Sequence, residues 1–174
     1  MTIASLLQQA RTLDAELLLT HILKKSREYL WAHPEARVTQ LQTRRWITLS
    51  TRLQCGEPLA YLLGSAPFVG RSFFVNKHVL IPRPETELLV EHATAFLQNK
   101  CMHTIIDVGT GSGCIVITLA TSQPAHRYHA IDISPQALIV AQYNATHRGV
   151  SKRIKFHQGS LLEPLIRKHI RGPL

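Results

Sequence analysis

The run Thr104-Ile105-Ile106-Asp107-Val108-Gly109-Thr110-Gly111-Ser112-Gly113 passes from an apolar stretch into three alternating glycines, with an acid two positions before the first. A turn of this kind lets a ligand lie against bare backbone, because a Cβ there would hold it away. A second acid, Asp132, closes the next apolar stretch, Tyr128-His129-Ala130-Ile131-Asp132. At that strand end a doubly wound fold uses an acid to accept hydrogen bonds from ribose hydroxyls. The dinucleotide fingerprint G-x-G-x-x-G is not met. Counted from Gly109 its third glycine falls on Cys114, and counted from Gly111 it falls on Val116. D-x-G-x-G-x-G followed by a strand-end acid points instead to S-adenosylmethionine, whose sulfonium carries no pyrophosphate for a helix N-terminus to hold. Gly109, Gly111, Gly113 and Asp132 are therefore the expected lining of a nucleoside-type donor site.

These residues need a particular set of elements to bring them together. Thr104–Val108 reads as a strand, Cys114–Ala120 as a helix and Tyr128–Asp132 as a second strand. Ser134-Pro135 opens the next helix, an N-cap residue followed by proline at the first helical position. Leu138, Ala141 and Ala145 fall on one face of it, and Arg153–His157 gives a third strand. The expectation is an α/β fold with three strands of a βαβαβ half, the first half of a Rossmann-like sheet, incomplete at its C-terminus. An open sheet of this class binds its ligand where two such halves meet.

The first eighty residues have a different texture. Ile3, Leu6, Leu7 and Ala10 recur at helical spacing, as do Ala15, Leu18, Leu19 and Ile22. Thr12 suits an N-cap, with Asp14 and Glu16 in the first turn where negative charge is favoured. A longer helix over about 38–54 places Trp46, Leu49 and Leu53 on one stripe, and Gly56 stops it. Together these predict a small helical bundle. Phe68–Val75 reads as a hairpin with Gly70-Arg71 near its turn. In Arg83-Pro84-Glu85-Thr86-Glu87 the proline and acids start another helix well, with Leu89, Ala93 and Phe96 as its apolar face.

Composition narrows the class. With 45% hydrophobic and 18% charged residues, the chain is globular rather than disordered. No apolar run approaches the roughly 20 residues of a membrane helix, so no membrane association is expected. Cys55, Cys101 and Cys114 are odd in number and widely spaced, which fits a reducing cytoplasm. The formal charge of +9 is concentrated late, where Arg148, Lys152, Arg153, Lys155, Arg167, Lys168 and Arg171 face only Glu163. Without an aromatic platform or a recognition motif, this reads as solvated surface whose acidic neighbours lie in the other half of the sheet, and no direct nucleic-acid partner is expected. His126 and His129 are three apart, so on a strand they point to opposite faces and share no metal. No metal is expected.

Four segments in order resemble one family. Asp14-Ala15-Glu16-Leu17-Leu18-Leu19, Gly56-Glu57-Pro58-Leu59-Ala60-Tyr61, Arg83-Pro84-Glu85-Thr86-Glu87 and Asp107-Val108-Gly109-Thr110-Gly111-Ser112-Gly113 are similar to the HemK/PrmC family of release-factor glutamine N5-methyltransferases. The resemblance implies residues 1–64 as a helical substrate-recognition domain, 65–82 as a hairpin linker, and 83–174 as a class I S-adenosylmethionine-dependent methyltransferase domain. It implies methyl transfer to the glutamine of the Gly-Gly-Gln motif of peptide chain release factors. It carries Gly109 through Gly113 onto the donor, Asp132 onto its ribose, Leu161 to a place beside the adenine, and Arg83, Pro84, Glu85 and Thr86 to a lid. The family often has an aromatic residue at the position of Leu161 and an acid at that of Ser160. Its Asn-Pro-Pro-Tyr motif binds and aims the acceptor amide. No Asn-Pro dipeptide occurs in these 174 residues. No catalytic residue is therefore assigned, and the chain is expected to be a truncated form, inactive by itself. The alternatives from other classes are a fragment of an RNA or DNA N-methyltransferase and a non-catalytic, degenerate binding module.

Overall fold

Hydroxyl side chains start the first helices in the computed structural model, which describes residues 1–8 and 12–167. Thr2 caps α1 (Ile3–Leu7), Thr12 caps α2 (Leu13–Leu23), Ser26 caps α3 (Arg27–Ala32) and Thr39 caps α4 (Gln40–Gln54). Each oxygen accepts a backbone N–H three residues on, at 3.2–3.3 Å. That satisfies one of the donors every helix start leaves free. With α5 (Leu59–Leu63) these helices form one of two compact units, Met1–Leu63. Ile3, Leu6, Leu18, Leu19 and Trp46 are fully enclosed in its core. The helices α3 and α5, of six and five residues, are not among the elements expected from the sequence. Ala10 of the first expected stripe lies outside the described residues, as do Lys168 and Arg171 of the late basic run.

The second unit is Gly64–Leu174. It begins with a hairpin of β1 (Ser65–Phe68) and β2 (Arg71–Phe74), antiparallel, with Phe68 opposite Arg71. The turn is thus Val69-Gly70 rather than the expected Gly70-Arg71. Both turn residues have positive φ, +47° and +66°, as a twist-matched two-residue turn demands. A β-branched residue is costly there, which is why the sequence suggested otherwise. The Val69 N–H is held by Glu87 Oε1 at 2.8 Å.

The helix α6 (Pro84–Leu97) leads into a parallel sheet ordered β3 (Thr104–Val108), β4 (Arg127–Asp132), β5 (Ile154–Gln158). Between the strands run α7 (Cys114–Ser122) and α8 (Pro135–His147), and α9 (Glu163–Arg167) follows β5. The result is the mixed α/β, Rossmann-like arrangement expected. Val90, Val116, Ile117, Ala120 and Ala145 of the helices share one core with Tyr128, Ala130 and Ile154 of the strands and with Phe68 and Phe73 of the hairpin. By strand alternation His129 and Ile131 point to the opposite face. There His129 Nδ1 lies 3.0 Å from His157 Nε2, both rings buried and stacked.

In α6 the expected stripe Leu89, Ala93, Phe96 faces inward only at Ala93, which packs against the core. Leu89 is 55% and Phe96 63% exposed, while Val90 and Leu97 are buried. Apolar residues at 88–90, 93 and 95–97 allow two overlapping stripes, and packing chose Val90, Ala93 and Leu97. Among the described residues no helix is long and apolar enough to cross a membrane.

Candidate functional site

The loop after β3 is pinned to the end of β4 by its own backbone. The N–H groups of Gly109 and Thr110 both donate to Ile131 O, at 2.8 and 2.9 Å. The Gly111 N–H donates to Asp132 Oδ2 at 2.9 Å, and the Ser134 N–H to Asp132 Oδ1 at 2.9 Å. The Gly159 N–H, just past β5, donates to the Asp132 carbonyl at 3.1 Å. Asp132 therefore gathers the loops that follow all three strands. Each carboxylate oxygen spends one acceptor site on backbone and keeps another, so the residue can hold the loops and still accept from a hydroxyl. Ser134 caps α8 as expected, its Oγ accepting the Ala137 N–H at 3.2 Å.

The three glycines do different work. A Cβ at Gly109, whose φ is +75°, would project into open space, and one at Gly111 would approach only Gly109 O, at 3.9 Å. At Gly113 a Cβ would stand 2.7 Å from Ile117 Cδ1 and 3.1 Å from Ala141 Cβ. The first two leave bare backbone facing open space. The third lets α7 pack on α8.

Asp107 sits beneath the loop and accepts the Thr110 hydroxyl at 2.7 Å. Burial pushes its carboxyl pKa up; the bonds from Thr110 and from the Val116 N–H pull it down, and the nearby charge of Asp132 pushes it up again. Burial also raises the thiol of Cys114, which suits packing and not nucleophilic chemistry.

Of the expected site residues, the hydrogen-bonded set joins Gly109, Thr110, Gly111, Gly113 and Asp132. Ser112 is buried within the same loop. Leu161 stands two residues past Gly159, with φ +48° and 72% exposed, beside Ser160, Leu162 and Ile166. Arg83, Pro84, Glu85 and Thr86 form the solvent-facing start of α6, where the Thr86 N–H bonds Arg83 O at 3.0 Å. No hydrogen bond joins these four to the glycine loop. Among the described residues no group of three or more His, Cys, Asp or Glu side chains could hold a metal. Sequence reading missed Asn144, a buried amide of α8 that reaches the carbonyl of Ser112. Its one signal was a lone polar residue in the stripe Ala137, Leu138, Ala141, Ala145.

A Rossmann-like sheet with a glycine loop and an acid at the C-terminal ends of its strands is the frame of a methyltransferase domain. A methyltransferase-domain model matches residues 100–168, and a model described as the PrmC N-terminal domain matches residues 2–64. A release factor glutamine methyltransferase of Chlorobaculum tepidum is 42% identical over 166 residues, covering 92% of this chain and 56% of that protein. One of Koribacter versatilis is 41% identical over 153 residues, covering 88% and 54%. Among solved structures, an RNA methyltransferase from Salinibacter ruber in complex with S-adenosyl-L-homocysteine is 30% identical, over 48% of this chain and 52% of that one, with a TM-score of 0.39. The chain belongs to the HemK/PrmC family, and it spans about half the length of the curated relatives it matches.

Proposed function

We propose that the chain holds the donor site and the recognition unit of a protein-glutamine methyltransferase that uses S-adenosylmethionine. The acceptor is the glutamine of the Gly-Gly-Gln loop of peptide chain release factors, and the setting is the cytoplasm. The observation that carries this reading is the order of a PrmC N-terminal domain and a methyltransferase domain in one chain, at about 40% identity to release factor glutamine methyltransferases. In this reading Gly109 and Gly111 present bare backbone to the donor. Asp132 accepts from its ribose hydroxyls with the acceptor sites its loop bonds leave free. Leu161 lies along the adenine, and Arg83 to Thr86 cover the site. The donor supplies an electrophilic methyl group. The acceptor amide is a weak nucleophile because its lone pair is delocalised into the carbonyl, so orientation and electrostatics must supply the rate. The 174 residues hold no Asn-Pro pair to bind that amide. Tested as this polypeptide, they bind donor weakly and leave a release factor unmethylated.

Titration calorimetry with S-adenosylmethionine tests the donor site. Asp132→Ala, checked for folding by circular dichroism, is expected to lower affinity by about tenfold or more, the worth of a hydrogen bond to a charged group. Tight binding that ignores Asp132 sinks the assignment. Incubation of this polypeptide with labelled donor and release factor should leave the glutamine unlabelled. Turnover within about tenfold of a full-length relative contradicts the expected need for an amide-binding motif.

A further inference from the structure

Asn144 is 4% exposed on a helix face otherwise made of alanine, leucine and valine. Its Oδ1 accepts the Phe74 N–H at 2.8 Å, and its Nδ2 donates to Phe74 O and to Ser112 O, each at 2.9 Å. Only this orientation lets every donor meet an acceptor. Phe74 ends β2, and one of its edges pairs with Ser65 of β1. Asn144 serves the residue as a further strand would, pairing with both its N–H and its C=O. The same amide group holds the peptide between Gly111 and Gly113, where the donor loop turns into α7. One buried side chain thus joins the hairpin to the loop.

Two neighbours on α8 show that the hairpin does not depend on Asn144 alone. The rings of Tyr143 and Phe74 lie 5.0 Å apart. The Arg148 guanidinium donates to Ser72 O and sits 5.5 Å from the centre of the Phe73 ring. Neither touches the glycine loop. If anchoring the hairpin were the whole task, packing and Arg148 already contribute to it. The second Nδ2 bond goes where anchoring alone has no need of it. An apolar residue at 144 would match its helix face and avoid burying an amide.

We propose that Asn144 is a positioning residue that couples the hairpin to the donor loop, so that donor binding and hairpin order rise and fall together. The inference rests on the reading of the glycine loop as the donor site. Displacement of Phe74 along β2 breaks or bends the bonds of the same amide that fixes the Ser112 carbonyl. A donor that holds the loop in one conformation therefore holds the hairpin, and by linkage a held hairpin favours donor binding equally. The hairpin directly follows the helical unit in the chain, so a protein substrate that orders it would tighten the donor site.

Hydrogen exchange of the full chain, with and without saturating S-adenosylmethionine, reads the coupling without any mutation. Hairpin amides, Phe74 among them, are expected to exchange at least about fivefold more slowly with donor bound, the lower range of typical coupling between sites. Asn144→Asp keeps the shape and the acceptor but loses both N–H donors. It is expected to weaken donor binding about tenfold or more and to leave hairpin exchange indifferent to donor. Arg148→Ala should speed hairpin exchange yet keep both the donor response and an affinity within about threefold of the parent. Unchanged hairpin exchange in the parent chain with donor bound overturns the coupling, whether or not Asn144→Asp folds. A folded Asn144→Asp protein that binds donor within about threefold of the parent overturns it too. A flat titration of the parent chain is a different failure: it removes the donor-site reading, and this inference with it.

Discussion

The two units bury different things. In Met1–Leu63 the buried polar groups among the described residues are the hydroxyl of Ser50, which returns to Ile47 O of its own helix, and the indole N–H of Trp46. The charged pairs of this unit, Arg27 with Glu16 and Arg52 with Glu57, lie at the surface. In the second unit Thr110, Ser112, Thr118, His126, His129, Asn144 and His157 are all buried. Several of their bonds join elements rather than close local turns: His103 N–H to His126, His129 to His157, and Asn144 to both β2 and the glycine loop. A buried polar group costs free energy unless it is paired. One unit is thus an apolar bundle held by packing. The other spends desolvation on joining its elements: His126 at the starts of β3 and β4, the His129–His157 pair within the sheet, and Asn144 at the loop after β3.

The sharpest test of the bundle is its one fully enclosed aromatic. Trp46 has 0% exposure, and its indole nitrogen has no hydrogen-bond partner. Trp46→Ala should destabilise the first unit by about 3–5 kcal/mol, transfer and cavity costs together. Thermal melting followed by circular dichroism would show an early helical transition, while donor affinity stays within about threefold. Loss of donor binding in step with that transition would show that the two cores do not act separately.

Gly113→Ala strikes the second unit in a comparable way but by overpacking. The new methyl must displace Ile117 and Ala141, and the residue keeps a left-handed φ of +78°. About 1–3 kcal/mol for the forced contacts and about 1–2 kcal/mol for the conformation give a loss of about 2–5 kcal/mol. A melting temperature unchanged from the parent would mean that α7 and α8 are not packed as closely as the geometry requires.

The buried polar groups also give the second unit a pH signature. Burial, helped by the nearby positive charge of Lys155, lowers the pKa of His129 from its ordinary 6.5. As pH falls below 6.5 the unfolded chain takes up a proton that the folded one refuses, and stability drops until the folded pKa is passed. Asp107 runs the other way, since burial raises its pKa above 3.8. As pH rises from 3.8 the unfolded chain loses a proton that the folded one keeps, and stability declines through the folded pKa. Denaturant melts across this range should show His129→Gln abolishing the acid-side loss. Asp107→Asn should abolish the decline with rising pH while keeping an acceptor for Thr110. Parallel profiles in parent and variants would count against both assignments.

How much of this was legible in the sequence depends on which interaction each residue answers to. Strand, loop and strand from Thr104 to Asp132 were readable because glycine spacing and apolar runs are local signals. So were the caps Thr12 and Ser134, whose partners lie three residues away. The inward face of α6 was not, because its apolar residues form two stripes and only the neighbouring helix α7 decides between them. The role of Asn144 was hidden for a stronger reason: Phe74 is 70 residues distant and Ser112 is 32. Nor could alternating glycines say which of them serves a ligand and which serves packing, since that depends on the approach of Ala141.

That last distinction yields the variant with the smallest effect on stability. Gly109→Ala meets nothing within 4 Å, so its cost is the left-handed backbone alone at φ +75°, about 1–2 kcal/mol. Melting should therefore shift less than for Gly113→Ala. Donor binding should suffer more, because the methyl occupies the open space into which the loop faces. The expectation is a loss of S-adenosylmethionine affinity of at least about tenfold, with the fold retained by circular dichroism. A Gly109→Ala protein that binds donor within about threefold of the parent would place the ligand elsewhere. It would reduce the first glycine to the same structural task as the third: turning a chain, at a site where the second unit's buried polar groups hold only the protein itself.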